Sequence, residues 1–100
     1  MTMQTILRPL NGQKVSVSGT SARNTTAFTH SDITIRCETA CYIKLGDASV
    51  VATTSDGGYD RYLSAGVDFD MKTGGASHVA IILASGSDTA YINEHSKSAL

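Results

Sequence analysis

The sequence predicts an all-β fold: a single-domain β-sandwich, jelly-roll-like, of seven to nine short antiparallel strands. Three observations predict it. Apolar residues recur with a period of two, which puts them on one face of an extended strand. Turn-forming clusters interrupt the chain every eight to twelve residues, the rhythm of a sandwich. No stretch carries the helical period of about 3.6 residues.

Residues 1–12 read as a flexible N-terminal arm, in which Ile6 and Leu7 supply a short edge strand before Pro9 and Asn11-Gly12 break it. Residues 13–95 hold the domain. Lys14–Ser18 alternates with Val15 and Val17 inward; Gly19–Asn24 reads as a loop, Thr25–Thr29 as weakly extended, and His30-Ser31-Asp32 as a turn. The chain is organised around the next stretch. Ile33, Ile35 and Cys37 share one face against Thr34 and Arg36, and Cys41, Ile43 and Leu45 share one face against Tyr42 and Lys44. With only Glu38-Thr39-Ala40 between them, the two runs read as a central β-hairpin. Val50 and Val51 mark a further short strand over Ser49–Thr53, and Ser55-Asp56-Gly57-Gly58 a turn. Tyr59–Ala65 has no period and reads as a surface loop. Val67, Phe69 and Met71 alternate with Asp68, Asp70 and Lys72. His78–Ala84 is apolar on both faces, the pattern of a strand covered on both sides. Thr89–Asn93 gives the last strand, with Ala90 and Ile92 inward, and residues 96–100 a frayed tail.

Composition narrows the function classes. Eight Lys and Arg against nine Asp and Glu leave a net charge of −1, so there is no basic surface for nucleic acid. No apolar run is long enough to span a membrane as a helix. The first residues lack the pattern of a secretory signal, so synthesis in a cytoplasm is expected. Cys37 and Cys41 are the only cysteines. They are read as reduced thiols packing as small hydrophobes, although facing strands near a turn would bring them near enough to bridge.

Candidate chemistry is sparse. His30, His78 and His95 lack metal-ligand spacing; His30 falls in a turn and His95 in the tail. Asp68 and Asp70 share a wet strand face, where acidic residues discourage edge pairing. Gly86-Ser87-Asp88 is a turn and not a nucleophile elbow. The paired glycines precede no helix, so they cradle no phosphate. No metal or other cofactor is expected, and no enzymatic activity. Arg36, Tyr42 and Lys44 are read as lying on the outward face of the central hairpin, and Arg and Tyr are favoured where proteins dock. Tyr59 and Tyr62 offer a second option, stacking platforms for a carbohydrate.

The order of short motifs is informative. Gly19-Thr20-Ser21-Ala22-Arg23 is followed by Ile35-Arg36, Cys41-Tyr42-Ile43-Lys44-Leu45-Gly46, Ala52-Thr53-Thr54-Ser55, Leu63-Ser64-Ala65-Gly66-Val67 and His78-Val79-Ala80-Ile81-Ile82. Over residues 13–95 this order resembles a family of small tailed-bacteriophage virion proteins. It departs at Leu45, where the family pattern has an aromatic, at Ser64, where it has proline, and in a longer insert at Gly57–Arg61. The resemblance implies a structural part of a virion and not an enzyme: a capsid decoration (cement) protein on the major capsid shell, expected as a homotrimer, or a neck, collar or tail component. A carbohydrate-binding module on the virion surface is the third option. The residues expected to touch the capsid are Ile6, Leu7 and Arg8 of the arm and Arg36, Tyr42 and Lys44 of the sheet face.

Overall fold

The computed structural model describes residues 5–99. They form eight strands: β1 (Thr5–Ser18), β2 (Ala22–Arg23), β3 (Asp32–Cys37), β4 (Cys41–Gly46), β5 (Arg61–Leu63), β6 (Phe69–Lys72), β7 (His78–Leu83) and β8 (Ser87–Ala99). A front sheet has the order β1-β8-β3-β6 and a back sheet the order β2-β7-β4-β5. The chain pairs like one long folded hairpin: β1 with β8, β2 with β7, β3 with β6 and β4 with β5, all antiparallel. Successive pairs fall in alternate sheets, and β3–β8 and β4–β7 ladders stitch them together. This is jelly-roll topology, which buries two sheet faces against each other in a single small domain.

Alternation fixes which side chains enter that core. Val15 and Val17, Ile33, Ile35 and Cys37, and Ala90 and Ile92 come from the front sheet. Cys41 and Ile43, Leu63, and Val79, Ile81 and Leu83 come from the back sheet, and all are buried in one cluster. Phe69 and Met71 pack at its margin. Where edge strands β5 and β6 meet, the Arg61 guanidinium lies 4.5 Å from the centre of the Phe69 ring and covers the seam with a cation–π contact.

The expected central hairpin is a different object. Its two strands are those now labelled β3 and β4, and they lie in opposite sheets. The connection Glu38-Thr39-Ala40 is therefore a corner that carries the chain across the core. The faces were legible, but a period of two does not say whether the next strand sits beside or opposite. Thr39 holds the corner by donating its hydroxyl to Asp88 at the start of β8, at 2.6 Å. That bond, followed by the Thr89 amide, keeps the Asp88 carboxyl below its usual range.

Cys37 and Cys41 face the core from the two sides of this corner, both buried and unbridged. Burial pushes the Cys37 thiol up; burial, with Cys37 as neighbour, pushes Cys41 up to about 12. Thiolate is the reactive form. In the folded protein both thiols will therefore resist Ellman's reagent at pH 8 and react promptly in guanidinium chloride, measured by absorbance. A fast native reaction would contradict this packing.

Strand limits also differ from those expected at the chain ends. Residues 5–12 belong to β1, and residues 96–99 belong to β8, paired as far as Thr5 with Ala99. Pro9 is tolerated because β1 is an edge strand. Asn11, with φ of 51°, and Gly12 form a bulge between Leu10 and Gln13 where a break was expected. Residues 1–4 and the side chains of Ile6 and Leu7 lie outside the described residues. Thr25–Thr29 is a loop, while two residues of the predicted Gly19–Asn24 loop form β2, and three of the predicted Tyr59–Ala65 loop form β5.

Ser49–Thr53 forms no strand. The segment 47–60 lies as a flap over the outer face of the back sheet, where Val50 and Ala52 pack on Ala80 and Ile82 of β7. This cover explains why His78–Leu83 is apolar on both faces, as its sequence predicted. Gly46 makes the flap possible, because a Cβ there would sit 2.8 Å from Val50. The flap is tied by Ala52 N–H to Ser21 Oγ at 2.9 Å and by Asp60 N–H to the Ile43 carbonyl at 2.7 Å.

Candidate functional site: two unlike outer faces

The outer face of the front sheet is polar and charged. Each strand presents the residues that alternate with the core. Tyr91, Asn93 and His95 come from β8, Asp32, Thr34 and Arg36 from β3, and Asp70 and Lys72 from β6, with Asp68 just before it. Cross-strand contacts hold them. Arg36 donates to Glu38 at 3.0 Å and to Asp68 at 3.1 Å, and these carboxylates, Asp68 first, hold its guanidinium protonated more firmly than usual. Lys72 pairs with Asp32 at 2.7 Å. Thr34 donates its hydroxyl to Asp70 and shares a second short contact with His95 Nε2. A carboxylate only accepts, so Nε2 carries the proton given to Thr34. The His95 Nδ1 atom is buried without a partner among the described residues. Pro9, Thr34, Arg36, Asp68, Asp70, Tyr91, Asn93 and His95 line an open groove of about 380 Å³.

The outer face of the back sheet is aromatic. Tyr42 of β4 meets Tyr59 at 4.8 Å and Tyr62 of β5 at 5.2 Å between ring centres, with planes inclined by 70° and 63°. Edge-to-face packing of this kind is favourable for aromatic quadrupoles. Tyr62 is 49% exposed, and Val51 on the flap is 57% exposed. Lys44 reaches from β4 to the Gly57 carbonyl at 3.4 Å.

These geometries sort the residues expected from the sequence. Tyr42 and Lys44 share the back face with Tyr59 and Tyr62. Arg36 does not join them: it lies on the front face, on the opposite side of the slab, because β3 and β4 belong to different sheets. The single patch of Arg36, Tyr42 and Lys44 is corrected accordingly. Arg8 is exposed on β1, opposite Ser96. Ile6 and Leu7 also fall in β1, with side chains outside the described residues. Tyr59 and Tyr62 both pack edge-to-face on Tyr42.

The histidines are dispersed in role. His30 contacts Glu94 at 3.3 Å, His78 shares a 2.8 Å hydrogen bond with Ser77, and His95 joins Thr34. Among the described residues, no group of three or more His, Cys, Asp or Glu is placed to hold a metal ion. His95 is not in a tail but in β8. The expected last strand ends at Asn93, whereas β8 continues through Glu94 and His95 to Ala99. Carrying the period through Glu94 would have put Tyr91, Asn93 and His95 together on the outer face. No family model matches the chain, and neither a curated protein nor a solved structure matches it.

Proposed function

We propose that this protein is a structural component of a bacteriophage virion, a decoration protein that binds the outside of the major capsid shell. The observation that carries the reading is the aromatic back face. Tyr42, Tyr59 and Tyr62, with Lys44 beside them and Val51 exposed on the flap, form a rigid patch on a domain of nearly balanced charge. Tyrosines held by their neighbours lose little entropy on docking, and they are frequent anchors of protein interfaces. The order of motifs along residues 13–95 points to the same class of protein. Each contact with the shell is weak, and a trimer presenting three copies of the patch to three shell subunits gains by avidity.

Quantifying this chain against the major capsid protein in purified particles tests the reading. A decoration protein is present in on the order of hundreds of copies, in proportion to the shell. Tyr62→Ala in the phage genome should lower that occupancy at least about tenfold, because each weakened contact is multiplied across the trimer. A count of about six or twelve copies would support the other virion role, a neck or collar component, and overturn the decoration reading.

A further inference from the structure

We infer that the seam between β5 and β6 is a socket for one aliphatic side chain of a partner protein, with Arg61 placed to hold a carboxylate beside that side chain. The inference deepens the docking reading and rests on it: Tyr62 lines the socket and also belongs to the Tyr42 face.

The seam is where both sheets end. β5 pairs only with β4, and β6 only with β3, so the two strands present neighbouring free edges. Between them lies a cavity of about 160 Å³ lined by Arg61, Tyr62, Leu63, Ser64, Val67 and Phe69. Sites for cofactors and drug-sized ligands run from roughly 300 to 1,000 Å³. This cavity has room for a side chain and not for such a ligand. Leu63 in its lining is 4% exposed and Val67 is 49% exposed, so the cavity opens from the margin of the core to the surface.

The socket is ordered before anything enters it. The turn that carries Val67 is pinned by the Gly66 N–H, which donates to the Cys37 carbonyl at 2.8 Å. Gly66 has φ of 69°, a left-handed conformation that glycine adopts without strain. Phe69 packs on the core cluster, and the Arg61 guanidinium lies over its ring at 4.5 Å. Groups already held in place lose less entropy on docking.

Charge decides what the occupant brings with it. Arg61 makes no ion pair among the described residues. The carboxylates that flank the socket in sequence are engaged elsewhere: Asp60 accepts the Leu45 N–H at 2.9 Å, and Asp68 pairs with Arg36 at 3.1 Å. A purely apolar partner would strip water from the Arg61 guanidinium and leave its charge unpaired, which is costly. A lone anion would leave Leu63, Val67 and Phe69 uncovered. An aliphatic side chain with a carboxylate beside it satisfies both halves of the site, because a stacked guanidinium meets a carboxylate in two-pronged fashion. Arginine and aromatic residues around a desolvated pocket are characteristic of binding hot spots.

Occupancy and photo-crosslinking in purified particles test the socket. Val67→Asp and Arg61→Glu should each lower the copy number at least about tenfold from the native count. Both positions are exposed, and urea midpoints of the isolated variants equal to the native one separate docking from folding. Benzoylphenylalanine in place of Val67, irradiated on the particle, should join to an aliphatic residue of another virion protein and so identify the carboxylate beside it. Neutralising that carboxylate should lower occupancy as much as Arg61→Gln does, and the two changes together should lower it no further than either alone. The inference is overturned if the native protein decorates the shell and Val67→Asp and Arg61→Glu leave its count unchanged. It is also overturned if the two neutralisations act independently, or if the cross-link joins two copies of this chain. A native count too low for the shell overturns the capsid reading instead, and the cross-link and the paired neutralisation then decide the socket on whichever virion protein is seated there.

Discussion

Asn24→Asp will destabilise the domain by about 3–5 kcal/mol at pH 7, the range for a buried charge left without a partner. Asn24 is 2% exposed at the end of β2. Its side-chain oxygen accepts the Val79 N–H at 2.8 Å, and its nitrogen donates to the Thr26 carbonyl at 2.7 Å and toward the Ser77 carbonyl at 3.5 Å. One amide thus ties the loop after β2 to the entry of β7. A carboxylate of the same shape keeps the Val79 bond but turns a negative charge on two carbonyl oxygens. Urea midpoints measure the loss, with Asn24→Ala as the uncharged control at about 2 kcal/mol. The Asn24→Asp deficit should shrink on acidification, because protonation gives the acid a donor for one of those carbonyls. A midpoint equal to that of the native chain at pH 7 would show that the loop is not anchored there.

Glu94→Ala should cost about 2–4 kcal/mol, the penalty of leaving two backbone amides and their neighbours unpaired. Glu94 is 1% exposed on the inner face of β8. Its Oε1 accepts the backbone N–H of Thr29 at 2.7 Å and of His30 at 2.9 Å, with the Thr29 hydroxyl and His30 Nδ1 each at 3.3 Å. Burial pushes the carboxyl up, but these bonds, led by the two amides, outweigh it and hold the group below its usual 4.5. The sign of the pH dependence follows. A carboxyl depressed in the folded state contributes stability that is complete above its unfolded value, near 4.5, and is lost as pH falls through the lower folded value. Asp47, held by Ser49, and Asp88, held by Thr39, act in the same direction below their usual 3.8. Urea midpoints of the native chain should therefore fall as pH drops below about 4.5, and Glu94→Gln should flatten that fall while lowering the plateau at neutral pH. A Glu94→Gln curve parallel to the native one would remove Glu94 from the acid response.

Both residues show where sequence reasoning was weak. Asn24 closes the stretch Gly19–Asn24 that reads as a loop, and no local pattern marks it as buried. Glu94 lies just past the expected last strand, and in β8 it continues the inward face of Ala90 and Ile92 with a charge satisfied by a distant loop. The candidate sites suffered in the same way. Tyr42 and Lys44 were correctly placed on one outward face, yet Arg36 was grouped with them through a hairpin that does not exist. Tyr91 falls inside the expected strand Thr89–Asn93, opposite in face to Ala90 and Ile92, but no local pattern shows that it lines a groove.

The alternation of Val15 and Val17, of Ile33, Ile35 and Cys37, of Cys41 and Ile43 and of Ala90 and Ile92 determined the strands, their buried faces and hence the sandwich class. The double-sided apolar run of β7 announced a second cover before that cover was identified. These are local properties, since a side chain's direction relative to its own backbone follows from the pleat alone. Which strand pairs with which, and whether a short connection turns beside its neighbour or crosses the core, depends on contacts between residues far apart in the chain. Only the tertiary structure therefore assigned Arg36 and Tyr42 to opposite faces, brought Glu94 to the amides of Thr29 and His30, and gathered Tyr91, Asn93 and Asp70 around one groove.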